Sequence, residues 1–298
     1  MAGHASVLLA ESLELLAVKP GGLYVDGTVG LGGHAAAILE RSGPHGRLLA
    51  FDRDEQALAA TSQRLAEFGA RARLVQADFR EIPRVLGPEK ADGILLDLGV
   101  SSLQLDDPER GFSFRAEGPL DMRMDRSQGE SAAEVVNRTR EDELADIIYR
   151  FGEERASRRI ARAIVEARRR ARLRTTTELA AVVRRAAGRS RPGLDPATRT
   201  FQALRIHVNR ELDGLGAALR ALASCLAPGG RMAVIAFHSL EDREVKQAFR
   251  ALGREGFVVL TRRPLRPGPE EVGRNPRARS ARLRGLQNAD GDERSRAA

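Results

Sequence analysis

The chain has 298 residues, of which 42% are hydrophobic and 30% are charged, with one cysteine and no tryptophan. This length suggests two domains, and this hydrophobic fraction is typical of chains that fold around a core. A single cysteine, Cys225, excludes an internal disulfide and a cysteine-rich zinc site. No apolar run approaches the roughly 20 residues of a membrane-spanning helix, and no signal peptide is recognisable. We therefore expect a soluble, cytoplasmic protein with no membrane partner.

The formal net charge of +8 is unevenly distributed along the chain. Residues 1–150 contain 17 basic and 25 acidic side chains, a balance of −8, whereas residues 151–298 contain 32 and 16, a balance of +16. Codon bias can explain why almost all of the basic residues are arginine, but it does not explain why the charges are separated. An acidic half joined to a strongly basic half predicts a polyanionic partner, most simply a nucleic acid.

The first third of the chain alternates short apolar strands with helices, as parallel sheets with right-handed crossovers do. The predicted elements are a helix over 7–18, a strand over 23–26, a helix over 34–41, a strand over 47–51, a helix over 55–67, and strands over 73–76 and 92–96.

The alternation stops after Leu96 and returns only near residue 231. Residues 105–135 are predicted to be loops, and a Pro-Gly-Gly sequence at 228–230 is predicted to break the chain. Between and after these breaks the spacing predicts helices over 140–150, 154–172, 176–187, 198–211 and 240–253, an interruption over 188–196, and strands over 231–237 and 257–261. The pattern predicts an α/β sheet domain (1–105 and 206–287) with an inserted helical domain (106–205) and a disordered tail (288–298).

A glycine-rich turn, running from Asp26 to His34, joins the first strand to the next helix. Gly30 and Gly32 permit a tight turn and a close approach of the backbone to a ligand. Asp52 ends the next strand, 20 positions after Gly32, where a carboxylate can accept both ribose hydroxyls of an adenosine cofactor. The spacing predicts such a cofactor; a glycine turn without a ligand is the structural alternative.

Two features favour S-adenosylmethionine over a nicotinamide dinucleotide as that cofactor. Asp26 stands ahead of the glycines, where a carboxylate can hold a cationic amino-acid group. The sequence Ala77-Asp78-Phe79 follows the third strand and offers a polar edge and an aromatic face to adenine. Neither feature has a use in binding a pyrophosphate.

Distinctive sequence blocks stand in one order over about residues 4–284. They are His4-Ala-Ser-Val-Leu-Leu, Asp26-Gly-Thr-Val-Gly-Leu-Gly-Gly-His, Phe51-Asp-Arg-Asp, Asp97-Leu-Gly-Val-Ser-Ser-Leu-Gln-Leu-Asp-Asp, Arg110-Gly-Phe-Ser-Phe, Gly118-Pro-Leu-Asp-Met-Arg-Met-Asp, Thr198-Arg-Thr-Phe-Gln-Ala-Leu-Arg-Ile, Phe237-His-Ser-Leu-Glu-Asp-Arg and Asn275-Pro-Arg-Ala-Arg-Ser. With these blocks the chain resembles the bacterial 16S ribosomal RNA cytosine-N(4) methyltransferase family.

The resemblance implies a class I, Rossmann-like methyltransferase sheet with an inserted α-helical substrate-recognition domain. It also implies S-adenosylmethionine as cofactor and the exocyclic 4-amino group of a cytidine in the decoding region of 16S rRNA as substrate, with the small ribosomal subunit as partner. The sequence favours neither a monomer nor a homodimer. The cofactor contacts that the resemblance implies are at Gly32, Gly33, His34, Asp52, Phe79, Asp97 and Gln104.

Asp97 is the candidate catalytic residue, because it follows the fourth strand at the edge where open α/β sheets place functional groups. A cytosine amine is a poor nucleophile, so a carboxylate there would orient the amine, the cofactor or both; a strand-end cap is the structural alternative. Phe112 and Phe114 are candidates for stacking on the target base or for packing between the domains. His238 is a candidate for lining the substrate cleft or for a structural hydrogen bond. The scattered histidines predict no metal site.

Two arginine clusters are candidate RNA surfaces. Arg155, Arg158, Arg159 and Arg162 recur at three- and four-residue steps, which predicts one helical face; a solvated surface with ion pairs is the alternative. A second cluster, in which Pro and Gly disfavour a helix, is predicted to be an extended arm that follows phosphates. Its members are Arg262, Arg263, Arg266, Arg274, Arg277, Arg279, Arg282 and Arg284.

Other functions stay open on the residues alone. They are a methyltransferase for a small molecule or another nucleic acid, an RNA-binding assembly factor without catalysis, and a nicotinamide oxidoreductase. The intact Asp26, Gly30, Gly32, Asp52 and Asp97 disfavour the assembly factor. A serine hydrolase is disfavoured because Gly-x-Ser-x-Gly is absent.

Overall fold

The computed structural model describes residues 6–188 and 195–289. It divides into a sheet unit, Met1–Gly99 with Gly214–Ala298, and a helical unit, Val100–Asp213. Within the described ranges, no helix is both long enough and apolar enough to cross a membrane.

The helices and strands of the described residues follow one another in chain order. They are α1 (Leu9–Leu16), β1 (Leu23–Asp26), α2 (Gly33–Arg41), β2 (Arg47–Asp52), α3 (Glu55–Leu65), β3 (Ala72–Gln76), α4 (Ile82–Leu86), β4 (Ala91–Asp97), α5 (Ser102–Asp106), α6 (Ala132–Arg138), α7 (Glu141–Gly152), α8 (Ser157–Arg170), α9 (Thr176–Ala187), α10 (Thr198–Asn209), α11 (Leu215–Ala223), β5 (Leu226–Ala236), α12 (Ser239–Leu252), β6 (Phe257–Val259), α13 (Pro269–Arg274) and β7 (Arg282–Asn288).

The sheet unit contains a seven-stranded sheet with the order β3-β2-β1-β4-β5-β7-β6. Strands β1 to β5 are parallel, as predicted, and β7 runs antiparallel between β5 and β6. Asp26 pairs in register with Leu95, and Asp97 pairs with Ile235, so β1, β4 and β5 end at nearly the same level. All four residues of β1 are buried, which is typical of a central parallel strand covered on both faces.

Strand β5 begins earlier than predicted and runs through the Pro-Gly-Gly sequence at 228–230. Leu226 pairs with Ala91, and the register shifts between Ala91 and Gly93 before the regular ladder starts at Arg231. The irregularity absorbs residues that a flat strand would not accept. The end of α5 and the start of α6 also overlap the region 105–135 that is predicted to be loops.

The C-terminal arginine cluster corrects a prediction. Residues 282–288 form β7 inside the sheet and are not an extended arm. Arg284 is only 5% exposed, and its Nε donates to Asp242 Oδ1 over 2.7 Å, while Arg282 Nη1 lies 3.3 Å from Asp242 Oδ2. Leu283 and Leu286 are fully buried and hold the strand in place. Arg282 and Arg284 of β7 are therefore structural, because both pair with one carboxylate on α12.

We expect Arg284→Met to lower the free energy of unfolding by about 3 kcal/mol, because it removes one partner of a buried ion pair from Asp242. Urea denaturation of the full chain measures the change. Arg279→Met is the matched control, since Arg279 is exposed in the turn over 276–280, and a surface change of this kind stays within about 0.5 kcal/mol. Equal losses in the two variants would contradict the structural role of Arg284.

The helical unit packs α6 to α10 around a core of its own. Among the helices around this core, α6 and α9 start with a capping box, in which Ser131 and Glu134, and Thr175 and Glu178, bond each other's backbone N–H groups. The unit extends past the predicted limits of 106 and 205, because α5 begins before residue 106 and α10 continues to Asn209.

Phe112 and Phe114 both belong to the packing of the helical unit. Phe112 is 7% exposed within the core, so it has no open face for a base, and this corrects its predicted role in stacking. Phe114 is partly buried; its ring meets Phe201 edge-on with centroids 4.7 Å apart, and the Arg184 guanidinium lies 5.4 Å from its centroid. Its role in base stacking stays a prediction.

Two predicted features fall partly outside the described residues. The interruption over 188–196 includes 189–194, and the disordered tail over 288–298 includes 290–298. Asn288, the first residue of that predicted tail, is the last residue of β7, and its side chain donates to the backbone oxygens of Leu226 and Ala227.

Candidate active site

The glycine-rich turn leaves β1 at the carboxyl edge of the sheet and leads into α2. Gly30 has φ 52°, and Gly32, the N-cap of α2, has φ 74° and ψ 17°. A Cβ on Gly32 would stand 3.0 Å from Thr61 Cγ2, and Thr61 Oγ1 donates to the Gly30 carbonyl over 2.7 Å. Both the left-handed backbone and the neighbouring α3 therefore require glycine at position 32.

We expect Gly32→Ala to destabilise the protein by about 2 kcal/mol, half from left-handed strain and half from the contact with Thr61. The matched control is Gly214→Ala. Gly214 is also a left-handed N-cap, with φ 64° and ψ 14°, but nothing lies within 4 Å of its added Cβ, so only the strain of about 1 kcal/mol applies. Urea denaturation gives the free energy of unfolding of each variant. Losses of the same size would show that the contact with Thr61 does not contribute.

Asp26, the last residue of β1, is 1% exposed, and its Oδ1 accepts the Thr28 N–H over 3.1 Å. Burial, assisted by the nearby Asp52, raises the pKa of Asp26 to about 7, although the Thr28 hydrogen bond opposes the shift. The contact of Asp26 with the cofactor stays a prediction.

Asp52, the last residue of β2, organises the turn from the neighbouring strand. Its Oδ2 accepts the Gly30 N–H and its Oδ1 accepts the Asp54 N–H, each over 2.9 Å. Burial raises its pKa, with a smaller contribution from Asp54, and these hydrogen bonds oppose the shift. A carboxylate oxygen can accept two hydrogen bonds, so each oxygen of Asp52 can still accept one from a ribose hydroxyl.

Phe79 follows β3 and carries a guanidinium over its ring. The Arg80 guanidinium lies 4.7 Å from the Phe79 centroid, and Arg80 and Arg53 reach Asp78 Oδ2 at 3.0 and 3.6 Å. The charge of Asp78 is therefore compensated by arginine. The contact of Phe79 with adenine stays a prediction.

Asp97, the last residue of β4, has a buried oxygen that no hydrogen bond satisfies. Its backbone N–H donates to Thr28 Oγ1 over 2.6 Å, whereas Oδ1 is buried without a partner in the described structure. The side chain as a whole is 26% exposed. Burial, and then the neighbouring Asp26 and Glu241, raise the pKa of Asp97 well above its usual range. A buried acceptor of this kind at a sheet edge is a candidate for binding a ligand donor.

His34, on the first turn of α2, faces the same carboxyl group. Its Nε2 lies 3.0 Å from the Val7 carbonyl, which only accepts, so Nε2 carries a proton and Nδ1 is directed towards Asp97, 3.9 Å from Oδ2. His34 is 6% exposed. The His34 ring therefore lies between the Val7 carbonyl, just before α1, and the carboxyl group of Asp97 at the end of β4.

His238 and Glu241 lie where β5 passes into α12. His238 is the N-cap of α12, and its Nδ1 accepts the Glu241 N–H over 3.3 Å. Glu241, 2% exposed, accepts the Phe237 N–H over 2.9 Å, and its Oε1 lies 3.1 Å from His238 Nε2. Glu241 is not among the residues predicted from the sequence, although its three-residue spacing from His238 is that of a cap and its N3 acid. The contact of His238 with substrate stays a prediction.

Gln104 lies in the helical unit, where it forms the capping box of α5 with Ser101. The Gln104 Oε1 accepts the Ser101 backbone N–H over 3.0 Å, and the Gln104 backbone N–H donates to Ser101 Oγ. The contact of Gln104 with the cofactor stays a prediction.

The predicted RNA-binding arginines are exposed on the helical unit. Arg158, Arg159 and Arg162 lie on α8, whereas Arg155 precedes the helix and so is not part of its face. Arg159 donates to the Ala187 carbonyl, and Arg162 lies 3.6 Å from a carboxylate oxygen of α7. Arg155 and Arg158 have no ion pair within the described part of the chain. Arg277 and Arg279 are exposed in the sheet unit.

Comparison with known proteins shows the family to which the chain belongs. The model of the MraW methylase family matches residues 1–289. The chain belongs to the MraW methylase family. It is 54% identical over 294 residues to the ribosomal RNA small subunit methyltransferase H of Sorangium cellulosum, covering 97% of this chain and 92% of that protein. It is 52% identical over 293 residues to the protein of the same name from Acidobacterium capsulatum, covering 95% and 98%.

Solved structures show more distant likenesses. The rRNA methylase from Streptococcus thermophilus aligns with 97% of this chain and 100% of its own, with a TM-score of 0.46 and 15% sequence identity. The family assignment rests on the sequence matches above.

A methylase of this family uses S-adenosylmethionine, and the residues at the sheet edge fit that cofactor. The turn at Gly30 and Gly32 gives the backbone a close approach, and Asp52 offers acceptors for ribose hydroxyls. Burial raises the pKa of Asp26 and of Asp97, so both carboxyls ionise more readily when a cation such as a sulfonium compensates them, which an anionic pyrophosphate does not do. The unsatisfied Asp97 Oδ1 is also an acceptor without a donor. The nicotinamide alternative is therefore rejected.

Proposed function

We propose that this chain methylates the exocyclic 4-amino group of a cytidine in the decoding region of 16S rRNA, in the small ribosomal subunit. The observation that carries the proposal is the buried, unsatisfied Asp97 Oδ1 beside the glycine turn. An exocyclic amine supplies the hydrogen-bond donor that this oxygen lacks. The names of the relatives, ribosomal RNA small subunit methyltransferases, support the choice of RNA.

The residues of the sheet unit supply position and charge to the reaction. When bound, S-adenosylmethionine supplies an electrophilic methyl group on a cationic sulfur. Gly32, Gly33 and His34 would hold the cofactor at the start of α2, and Asp52 would hold its ribose. Asp97, in its ionised form, accepts a hydrogen bond from the target amine and keeps the nitrogen lone pair available for attack. Alignment of two reactants is worth about 7–11 kcal/mol over the bimolecular reaction, which makes positioning the main task of the site.

The arginines of the helical unit support RNA as the substrate. Residues 151–200 contain 14 arginines and 5 acidic residues, and several of these arginines are exposed on α8 and in the segment that follows it. Such a surface attracts the phosphates of a nucleic acid without recognising its base sequence. We assign RNA binding to Arg155, Arg158, Arg159 and Arg162, and a secondary contact to Arg277 and Arg279.

Nucleoside analysis of rRNA from a strain that lacks the gene tests the proposal. We expect small-subunit rRNA from the deletion strain to lose N4-methylcytidine and to regain it when the wild-type gene is restored. An unchanged content of N4-methylcytidine in the deletion strain would reject this substrate.

A further inference from the structure

An unusual concentration of acidic groups surrounds the end of β4. Asp97 has a raised pKa for which burial is the main cause and Asp26 and Glu241 the further ones. Asp26 and Glu241 are themselves 1% and 2% exposed. The titratable groups that act on Asp97 from the elements around it are Asp26 of β1, His34 of α2 and Glu241 of α12; Asp52 of β2 lies behind Asp26, and His238 lies beside Glu241.

The position of Glu241 follows from the sheet. Asp97 pairs in register with Ile235, so β4 and β5 end side by side. Phe237 lies just beyond the end of β5, and its N–H holds Glu241 Oε2 at 2.9 Å. The carboxylate of Glu241 is thereby fixed at the edge of the sheet where Asp97 ends. Buried carboxyls that lie close together do not all ionise unless a cation compensates them.

We propose that Glu241 is a positioning and specificity-determining residue that makes this site prefer the cationic methyl donor over the neutral thioether left after transfer. The inference rests on the proposed function. S-adenosylmethionine carries a sulfonium charge that S-adenosylhomocysteine lacks, and the two are otherwise nearly identical. The acidic cluster of Asp26, Asp97 and Glu241 stabilises that charge and loses the stabilisation when the methyl group departs. Binding of the cation also favours the ionised form of Asp97, which is the form that accepts a hydrogen bond from the amine.

A purely structural role for Glu241 makes a different prediction. Glu241 belongs to a cap in which it accepts the Phe237 N–H, and His238 accepts the Glu241 N–H. Glu241→Gln keeps an acceptor oxygen for the Phe237 N–H and removes the charge, but it turns an amide NH2 towards His238 Nε2, so the stability of the variant is measured beside its binding. Glu178→Gln makes the same change at the capping box of α9 in the helical unit and is the matched control.

Calorimetric titration of the full chain with each ligand gives the test. We expect wild type and Glu178→Gln to bind S-adenosylmethionine more tightly than S-adenosylhomocysteine. In Glu241→Gln that preference should fall by about tenfold or more, mainly through weaker binding of the cation, since one charge gives about tenfold at roughly 12 Å and more at shorter distance for an effective dielectric near 20.

The pH dependence of binding provides a second readout that a structural role would not move. A cation lowers the pKa of carboxyls that burial has raised, so its binding releases protons. Affinity for S-adenosylmethionine should therefore rise with pH between about 4, the usual carboxyl pKa, and about 7, the pKa of Asp26, whereas affinity for S-adenosylhomocysteine should rise less. Glu241→Gln should release fewer protons on binding the cation.

Three results would overturn the inference. In the first, Glu241→Gln retains the wild-type preference and proton release. In the second, it loses affinity for both ligands equally, which identifies Glu241 as a structural cap. In the third, the wild-type chain binds neither ligand, which contradicts the proposed function as well and is thereby distinguished from the other two.

Discussion

Asp97→Asn is expected to lower the rate of methyl transfer by about 10²-fold or more while leaving the protein folded. The substitution keeps the size of the side chain but removes the acceptor charge that the amine needs as its nitrogen becomes positive. Because Asp97 also belongs to the acidic cluster that stabilises the sulfonium charge, we expect the variant to lose affinity for S-adenosylmethionine as well, so kcat is compared at saturating cofactor. Single-turnover assays with labelled cofactor measure the chemical step directly.

Stability supplies the control for Asp97→Asn. The pKa of Asp97 is higher in the folded protein than in the unfolded chain. The free energy of unfolding of the wild type therefore falls as the pH rises above the pKa of the unfolded chain. The variant has no such group, and its stability relative to wild type should increase with pH. Wild-type turnover in the variant, or inactivity accompanied by unfolding, would contradict a direct catalytic role.

Replacing Arg155, Arg158 and Arg162 together with glutamine is expected to weaken binding to small-subunit RNA by about 10²-fold at low salt. If each arginine neutralises one single-strand phosphate, the slope of log K against log salt should become shallower by about 2, since each contact contributes about 0.7. Arg159 is left in place because it also bonds the Ala187 carbonyl, and its loss would disturb α9.

The control variant for RNA binding removes the same number of charges from the sheet unit. Arg73, Arg250 and Arg254 are exposed and lie outside the predicted RNA surfaces. Their replacement with glutamine should change the salt slope much less than the change on the helical unit. Identical slopes for the two triple variants would show that only net charge matters and would refute the assignment of an RNA surface to α8.

The sheet and its glycine turn could be predicted because local signals specify them. Apolar runs such as Leu23–Asp26 mark buried parallel strands, and the glycines at 30 and 32 occupy backbone conformations that other residues rarely adopt. The carboxyl-edge positions of Asp26, Asp52 and Asp97 then follow, because parallel strands end together.

The features that the sequence did not reveal depend on distant partners. Arginine at 282 and 284 indicates a solvated arm, whereas both side chains pair with Asp242, about 40 residues earlier in the chain. Glu241 has no distinctive local pattern beyond its cap, and its significance comes from the pairing of β4 with β5. An aromatic loop residue such as Phe112 is compatible with stacking on a base and with packing between domains, whereas the helical unit encloses it in a core.

Methyl transfer to isolated small ribosomal subunits from the deletion strain, followed by nucleoside mapping, tests the central claim most directly. With labelled S-adenosylmethionine and the wild-type chain, we predict that the label enters N4-methylcytidine at one site of 16S rRNA and that Asp97→Asn transfers almost none. Label in a different nucleoside, or no transfer to subunits or to naked 16S rRNA by a chain that binds the cofactor, would contradict the account.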